Sequence, residues 1–303
     1  MNVCFVPELD LAANRPPVAR ADFDADTDAG DDPRPLTRFE RRVIEGLDAG
    51  EFHLAFQGIY HVQRAELVRA EALIRWLHPE YGLMLPDAFI STFDHPDVAR
   101  QATRFVIDEA CRQMRELPRG PRNALSVSIN VPPALIADEG FTPRLLQTLR
   151  AHGIRPSRLE IELVESGDAA HLLASKQITR PLRNAGVRLS LDDFGTGFSS
   201  LAALDTLDID TVKIARDLVT RLPSSQRAAT VLAGTLSMLE QLGLQVIVEG
   251  IETEAQWKWL AQWPNVLVQG YLFARPVFEL DHVPLRPSPT TIDDMPQLLR
   301  QAR

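Results

Sequence analysis

The feature that most restricts this chain is a regular alternation of short β-rich runs with helical stretches. The runs are FHLAF (52–56), LVRAEALIRW (67–76), LSVSIN (125–130), LEIEL (159–163), VRLSLD (187–192), TVKIA (211–215), LQVIVE (244–249) and VLVQG (266–270). Between them lie segments with helical spacing, such as RQATRFVIDEACRQM, TPRLLQTLRAHG, SKQITRPLRNAG and QRAATVLAGTLSMLEQLG. Three of these close on Gly153, Gly186 and Gly243, the residue type that ends helices in a left-handed turn. Strand–helix alternation implies a parallel sheet, and about eight such units predict an α/β, TIM-like (β/α)8 barrel. An open doubly wound sheet is the competing architecture.

Parity inside the runs assigns faces, because successive strand side chains point to opposite sides. Val127 and Ile129 oppose Ser126, Ser128 and Asn130; Leu159, Ile161 and Leu163 oppose Glu160 and Glu162; Leu189 and Leu191 oppose Ser190 and Asp192. Val212 and Ile214 oppose Lys213, and Val246 and Val248 oppose Glu249. In a barrel the apolar faces pack under helices, so each strand sends a polar group inward near its C-terminal end: Glu71, Asn130, Glu162, Asp192, Lys213, Glu249 and Gln269. Barrel active sites are built at that end. A solvated loop position explains any one of these residues, but not the series.

Four of the seven are carboxylates and one is an amide oxygen donor, with no His or Cys among them. That donor set suits a hard divalent ion, Mg²⁺ or Mn²⁺, better than zinc. Asp192 and Asp193 are adjacent at a strand terminus, an arrangement able to bridge two ions in phosphodiester cleavage. The run DDFGTGFSS (192–200) that follows has the glycines and hydroxyls of a tight, mobile loop, and lacks the Gly-Lys-Ser/Thr element of a P-loop.

Composition narrows the partners. The 303 residues carry 32 Lys and Arg against 41 Asp and Glu, a formal charge of −9, which argues against a general DNA or RNA binder. A polyanionic ligand therefore needs metal charge or a few placed cations. Two cysteines, Cys4 and Cys111, make neither a disulfide framework nor a thiolate zinc site, and no apolar run is long enough to span a membrane. A cytoplasmic location is expected.

Three segments follow from these readings: 1–36, 37–280 and 281–303. The first holds ADFDADTDAGDDP, with six aspartates and little to bury, and reads as a disordered acidic arm. Its resemblance to a calcium loop fails for want of a glutamate at the twelfth position. A helix is predicted from Thr37, with Thr37 as N-cap, Glu40 completing a capping box and Gly50 ending it. The third is a proline-rich tail. Trp257, Trp259 and Trp263 read as packing or partner surface, and Glu160 shares the inward face with Glu162 without a partner legible in the sequence.

From about Thr37 to Phe278 the chain resembles the EAL-domain family of cyclic-di-GMP phosphodiesterases. The carrying blocks are Glu71-Ala72-Leu73 within EALIRW, then SINV, EIELVES, LDDFGTGFSSL, VKI, VEGIET and QGYLFARP, in order. The resemblance implies a barrel whose first strand is antiparallel, and Mg²⁺- or Mn²⁺-dependent hydrolysis of cyclic-di-GMP, a bacterial second messenger, to linear pGpG with two ions. It implies Glu71, Asn130, Glu162 and Asp192 as ligands of the first metal, Asp193 with Asp192 as ligands of a second, and Lys213 and Glu249, beside Glu71, as catalytic groups holding and activating water. Arg75, Leu73, Gln269, Gln57 and Pro276 fall at substrate-binding positions, and Glu165 at that of a loop-stabilising glutamate. A homodimer is the expected assembly, with a protein partner as a further possibility.

The departures matter too. Where the family usually has Lys-Ile-Asp this chain has Lys213-Ile214-Ala215, removing an acidic neighbour of the lysine. Its early Gln-Pro is Gln57-Gly58, and a glutamate of the family is replaced by Asp94. Ala215 motivates the alternative function: a catalytically weak or inactive domain acting as a cyclic-di-GMP receptor or an interaction module.

Overall fold

The computed structural model describes residues 34–287, apart from 119, 165, 166 and 197–203. Most of the acidic arm, Cys4, Glu165, the far part of the DDFGTGFSS run and the end of the tail lie outside the described residues. Helix α1 (Arg38–Asp48) begins with the predicted capping box: Glu40 donates its backbone N–H to Thr37, and the Thr37 N–H donates to the Glu40 carboxylate at 2.7 Å. Strands β1 (Phe52–His61), β2 (Leu67–His78) and β3 (Gly82–Met84) follow, then α2 (Pro96–Glu116) and β4 (Ser126–Asn130). Next come α3 (Pro133–Ile136), α4 (Phe141–His152), β5 (Leu159–Val164), α5 (Gly167–Ala174), α6 (Lys176–Ala185) and β6 (Arg188–Phe194). The chain continues through β7 (Thr211–Ile214), α7 (Gln226–Gln241), β8 (Gln245–Val248), α8 (Glu254–Leu260) and β9 (Leu267–Val268).

The strand order is β1-β9-β8-β7-β6-β5-β4-β2-β3, and β1 also pairs with β2. That pairing closes a ring of eight strands, with β3 attached outside the ring to β2. Strand β1 runs antiparallel to both of its neighbours, β2 and β9, and every other pairing in the ring is parallel. The open-sheet alternative is thereby excluded.

Strand β3 is absent from the sequence reading, and of the expected strands β1 and β9 depart most from their predicted lengths, each for a physical reason. Strand β1 continues to His61 because it forms a hairpin with β2 in register from Phe52↔Trp76 to Ile59↔Arg69. Strand β9 shrinks to two residues because Gly270 turns against Ile251, whose N–H bonds the Gln269 carbonyl at 3.1 Å. A Cβ on Gly270 would stand 2.1 Å from the Ile251 carbonyl oxygen. Only glycine fits such a backbone approach.

The outward faces of the ring make the core. Val127, Ile129, Leu159, Ile161, Leu189, Leu191, Val212, Ile214 and Val248 are fully buried. At one edge Phe52 stacks on Trp76 at 4.9 Å while Phe89 meets Phe52 edge-on at 5.5 Å. Trp257 belongs to the core and donates from its indole to the Val62 carbonyl at 2.7 Å; Trp259 and Trp263 form a separate half-buried pair at 4.6 Å. Cys111 is a buried free thiol whose pKa burial pushes up to about 12. Among the described residues no helix is long and apolar enough to cross a membrane.

Two glycine substitutions test this account of the backbone. Gly270→Ala should cost about 3 kcal/mol in urea denaturation, since the clash is with backbone that cannot rotate away. Gly234→Ala, in α7 with nothing within 4 Å of the added carbon, should gain about 0.5–1 kcal/mol through helix propensity. Equal effects at the two positions would contradict the packing described.

Candidate functional site

Parity places the polar series where the sequence predicts it. Inward positions Glu71 on β2, Asn130 on β4, Glu162 on β5, Asp192 on β6 and Lys213 on β7 meet Glu249 and Gln269, which follow β8 and β9. The centre is the Lys213 ammonium, with only 1% of its side chain exposed. Its Nζ lies 3.1 Å from Glu71, 3.0 Å from Glu162, 3.2 Å from Asp192 and 2.7 Å from Glu249. Gln269 donates to Glu71 at 2.8 Å and to Gln57 at 3.1 Å, and Gln57 donates to the Ala274 carbonyl at 3.1 Å. Asn130 donates to Glu71 at 3.1 Å and lies 3.4 Å from Glu162.

Asp193 joins the cluster through an unusual backbone. Its φ of 56° is left-handed, uncommon outside glycine, and the β6–β7 register shifts between Leu191 and Phe194. The turn lets the Asp193 N–H donate to Asp192 at 2.9 Å. Carboxylate oxygens of Glu71, Glu162 and Asp192 lie within 4.8 Å of one another, as do those of Asp192, Asp193 and Glu249. Asp192 is common to both triads.

Four carboxylates around one ammonium leave an excess of negative charge, and the titration of the groups reflects it. Burial alone would lower the Lys213 pKa, but Asp192, Glu162, Glu249 and Glu71 hold it well above its ordinary value. Burial pushes Glu249 up to about 8, reinforced by Asp192 and Glu71 against the attraction of Lys213. Glu162 is raised by burial and then by Glu71, and Asp192 by burial against Lys213. Glu71 alone is lowered: Lys213 and the hydrogen bonds from Gln269, Lys213 and Asn130 outweigh its burial. Carboxylates crowded in this way accept further positive charge favourably. An all-oxygen donor set carrying that excess fits a hard divalent cation.

The rim holds the remaining predicted residues more loosely. Arg75 follows Glu71 on the inward face of β2, half-buried, and donates to the Ile74 carbonyl at 2.9 Å rather than to the carboxylates. Burial lowers its pKa, while Glu71 and Tyr271 act to raise it. Leu73 is half-buried between them, opposite Ala55. Pro276 is half-buried in the segment that returns across β1 through the Phe56–Val277 bridge. Glu165 lies outside the described residues. Ala215, at the end of β7, is buried with 3% exposure. Gly58 lies under the Tyr60 side chain, whose hydroxyl oxygen would sit 2.5 Å from any Cβ there. Asp94 is exposed at the end of a 3₁₀ turn, far in sequence from the cluster's members.

Two groups were not legible as site elements in the sequence. Tyr271, 47% exposed, carries the Arg275 guanidinium over its ring at 4.6 Å. The other is a partner for Glu160: Arg69, buried in the lumen, forms an ion pair with it. The inward parity of Arg69 was the available signal, masked by its place outside the carboxylate series.

Comparison with known proteins places this geometry in a family. The EAL domain model matches residues 40–276. The chain is 33% identical over 240 residues to the cyclic di-GMP phosphodiesterase NbdA of Pseudomonas aeruginosa, covering 79% of this chain and 31% of that protein. It is 32% identical over 233 residues to the bifunctional diguanylate cyclase/cyclic di-GMP phosphodiesterase MucR of the same organism, covering 77% and 34%. The chain thus spans about a third of the length of these curated relatives. Among solved structures, the c-di-GMP complex of the PaMucR phosphodiesterase aligns with a TM-score of 0.72 at 31% identity, over 80% of this chain and 98% of that one. The manganese/cy-diGMP complex of Klebsiella pneumoniae BlrP1 aligns with a TM-score of 0.65 at 29% identity, over 75% and 56%. With its barrel, its ordered motifs and this match over most of its length, the chain belongs to the EAL domain family.

Proposed function

We propose that residues 37–280 hydrolyse one phosphodiester bond of cyclic-di-GMP, giving linear pGpG, with Mg²⁺ or Mn²⁺ bound at the carboxylate cluster. The observation that carries this reading is the buried Lys213 ammonium ringed by Glu71, Glu162, Asp192 and Glu249 at the C-terminal mouth of the barrel. Relatives named as cyclic di-GMP phosphodiesterases, and solved neighbours holding that nucleotide, support it.

The residues divide the work by their chemistry. Glu71, Asn130, Glu162 and Asp192 would hold one ion, and Asp193, with Asp192, a second. Bound ions supply charge neutralisation at the attacked phosphate and a more acidic water. Hydrolysis adds the water oxygen to phosphorus, breaks the P–O3′ bond and delivers a proton to the departing 3′-oxygen. Lys213 places a fixed positive charge where the phosphorane develops negative charge, in a site with little water to screen it. Glu249, 2.7 Å from that ammonium, is the carboxylate placed to take a proton from water once bound cations have displaced the proton that burial makes it hold. Arg75, near enough to Glu71 and Tyr271 to feel both, would meet a substrate phosphate, with Leu73, Gln57, Gln269 and Pro276 shaping the seat. Arg75 matters more here than in a basic protein, because the chain's charge of −9 repels a dianion at long range.

A second reading rests on Ala215. It follows Ile214 at the end of β7 and brings no charge to the neighbourhood of Lys213. A chain that binds cyclic-di-GMP but turns it over slowly fits that observation.

Incubation with cyclic-di-GMP and Mn²⁺ or Mg²⁺, followed by chromatography for pGpG, separates the readings. Steady pGpG formation supports hydrolysis; binding without product supports the receptor; no binding in either metal overturns both. Glu71→Ala should reduce turnover by about a thousandfold, roughly 4 kcal/mol of barrier, and retention of most activity would contradict its place in the site. Ala215→Asp should raise turnover by about tenfold, whereas an unchanged rate would make the alanine neutral. Mn²⁺ affinity should increase with pH up to about 8, because cation binding must displace the protons that Glu249, Asp192 and Glu162 retain. Calorimetry in buffers of different ionisation enthalpy reads that proton release, and a pH-independent affinity would contradict the titration described.

A further inference from the structure

Directly beneath the carboxylate–lysine layer lies a second polar layer. The Arg69 guanidinium forms a buried ion pair with Glu160 and donates to the Thr211 hydroxyl at 3.2 Å. Arg69 is 5% exposed, Glu160 1% and Thr211 fully buried. Each member stands two residues before a member of the upper layer on the same strand: Arg69 before Glu71 on β2, Glu160 before Glu162 on β5, Thr211 before Lys213 on β7. Two residues along a strand is one step on the same face, so the lower trio repeats the arrangement of the upper one. A second cation, Arg188, approaches Glu160 only to 3.6 Å.

The three strands are not neighbours in the ring: β4 separates β2 from β5, and β6 separates β5 from β7. Backbone ladders therefore do not set their relative heights directly. A planar guanidinium with donors in fixed directions does so across the lumen. From this juxtaposition we infer that Arg69 is a positioning residue: by tying β2 to β5 and β7 inside the barrel, it sets the spacing of Glu71, Glu162 and Lys213 and so the cation affinity of the site. The inference rests on the proposed metal-dependent function and adds a residue to it. Close packing transmits a shift of one layer to the next, and groups that orient ligands without touching the metal commonly control affinity.

Removing Arg69 alone strands a buried carboxylate and endangers the fold, so the informative variant removes both charges. Arg69→Met combined with Glu160→Met fills the lumen with apolar side chains of similar length. We expect its melting temperature to stay within about 5 °C of the unaltered protein, because a buried ion pair replaced by packed apolar groups changes stability little. Its Mn²⁺ dissociation constant, measured by calorimetry without nucleotide, should weaken by about tenfold. Arg69→Lys, which keeps charge but loses the fork, should fall between the two. An unchanged Mn²⁺ affinity in the folded double variant overturns the positioning role while leaving the proposed function intact. Failure of the unaltered protein to bind Mn²⁺ overturns the functional reading and this inference with it.

Discussion

A single ammonium organises the interior of this barrel. Lys213 is buried, and four carboxylates from four different strands or strand ends converge on it within 3.2 Å. An isolated charge at that depth would be expelled or neutralised; here each group is tolerable because the others are present. Burial makes Glu162, Asp192 and Glu249 hold their protons more tightly than ordinary carboxylates, and the neighbouring carboxylates add to it, because one positive charge among four negative ones under-compensates the cluster. The geometry therefore contains its own demand for additional positive charge. On the proposed function a divalent cation would meet that demand, and a phosphate drawn to it would find Lys213 and Arg75 nearby.

Ring closure supplies the precision this arrangement needs. Antiparallel β1 joins β2 and β9, so none of the eight strands of the ring is free to slide at an edge. The outward apolar faces pack under the helices, and because a one-residue slip would exchange inward and outward faces, register is strongly specified. The lumen is then divided into layers: Arg69, Glu160 and Thr211 below, and the lysine-centred cluster above. Gly270 contributes by letting the chain after β9 fold against Ile251 and bring Gln269 to Glu71.

Much of this was readable from residue order alone. Strand–helix alternation announces the barrel, and parity places Glu71, Asn130, Glu162, Asp192 and Lys213 on one face. Those properties are local, with a fixed period of two, so a sequence records them directly. What escaped was non-local. The pairing of Arg69 with Glu160 depends on the heights of strands that are not adjacent. The left-handed turn at Asp193 depends on a register shift between β6 and β7 that no residue type there announces. The extent of β1 is not local either, because its hairpin partner, rather than its own composition, determines how far it runs.

The most direct test of the account is to locate a metal within the protein. Crystals grown with Mn²⁺ and measured at the manganese absorption edge would show where the ion sits. The account predicts anomalous density among the oxygens of Glu71, Glu162 and Asp192, beside the Lys213 ammonium. Density confined to exposed surface carboxylates, with that cluster unchanged, would contradict it.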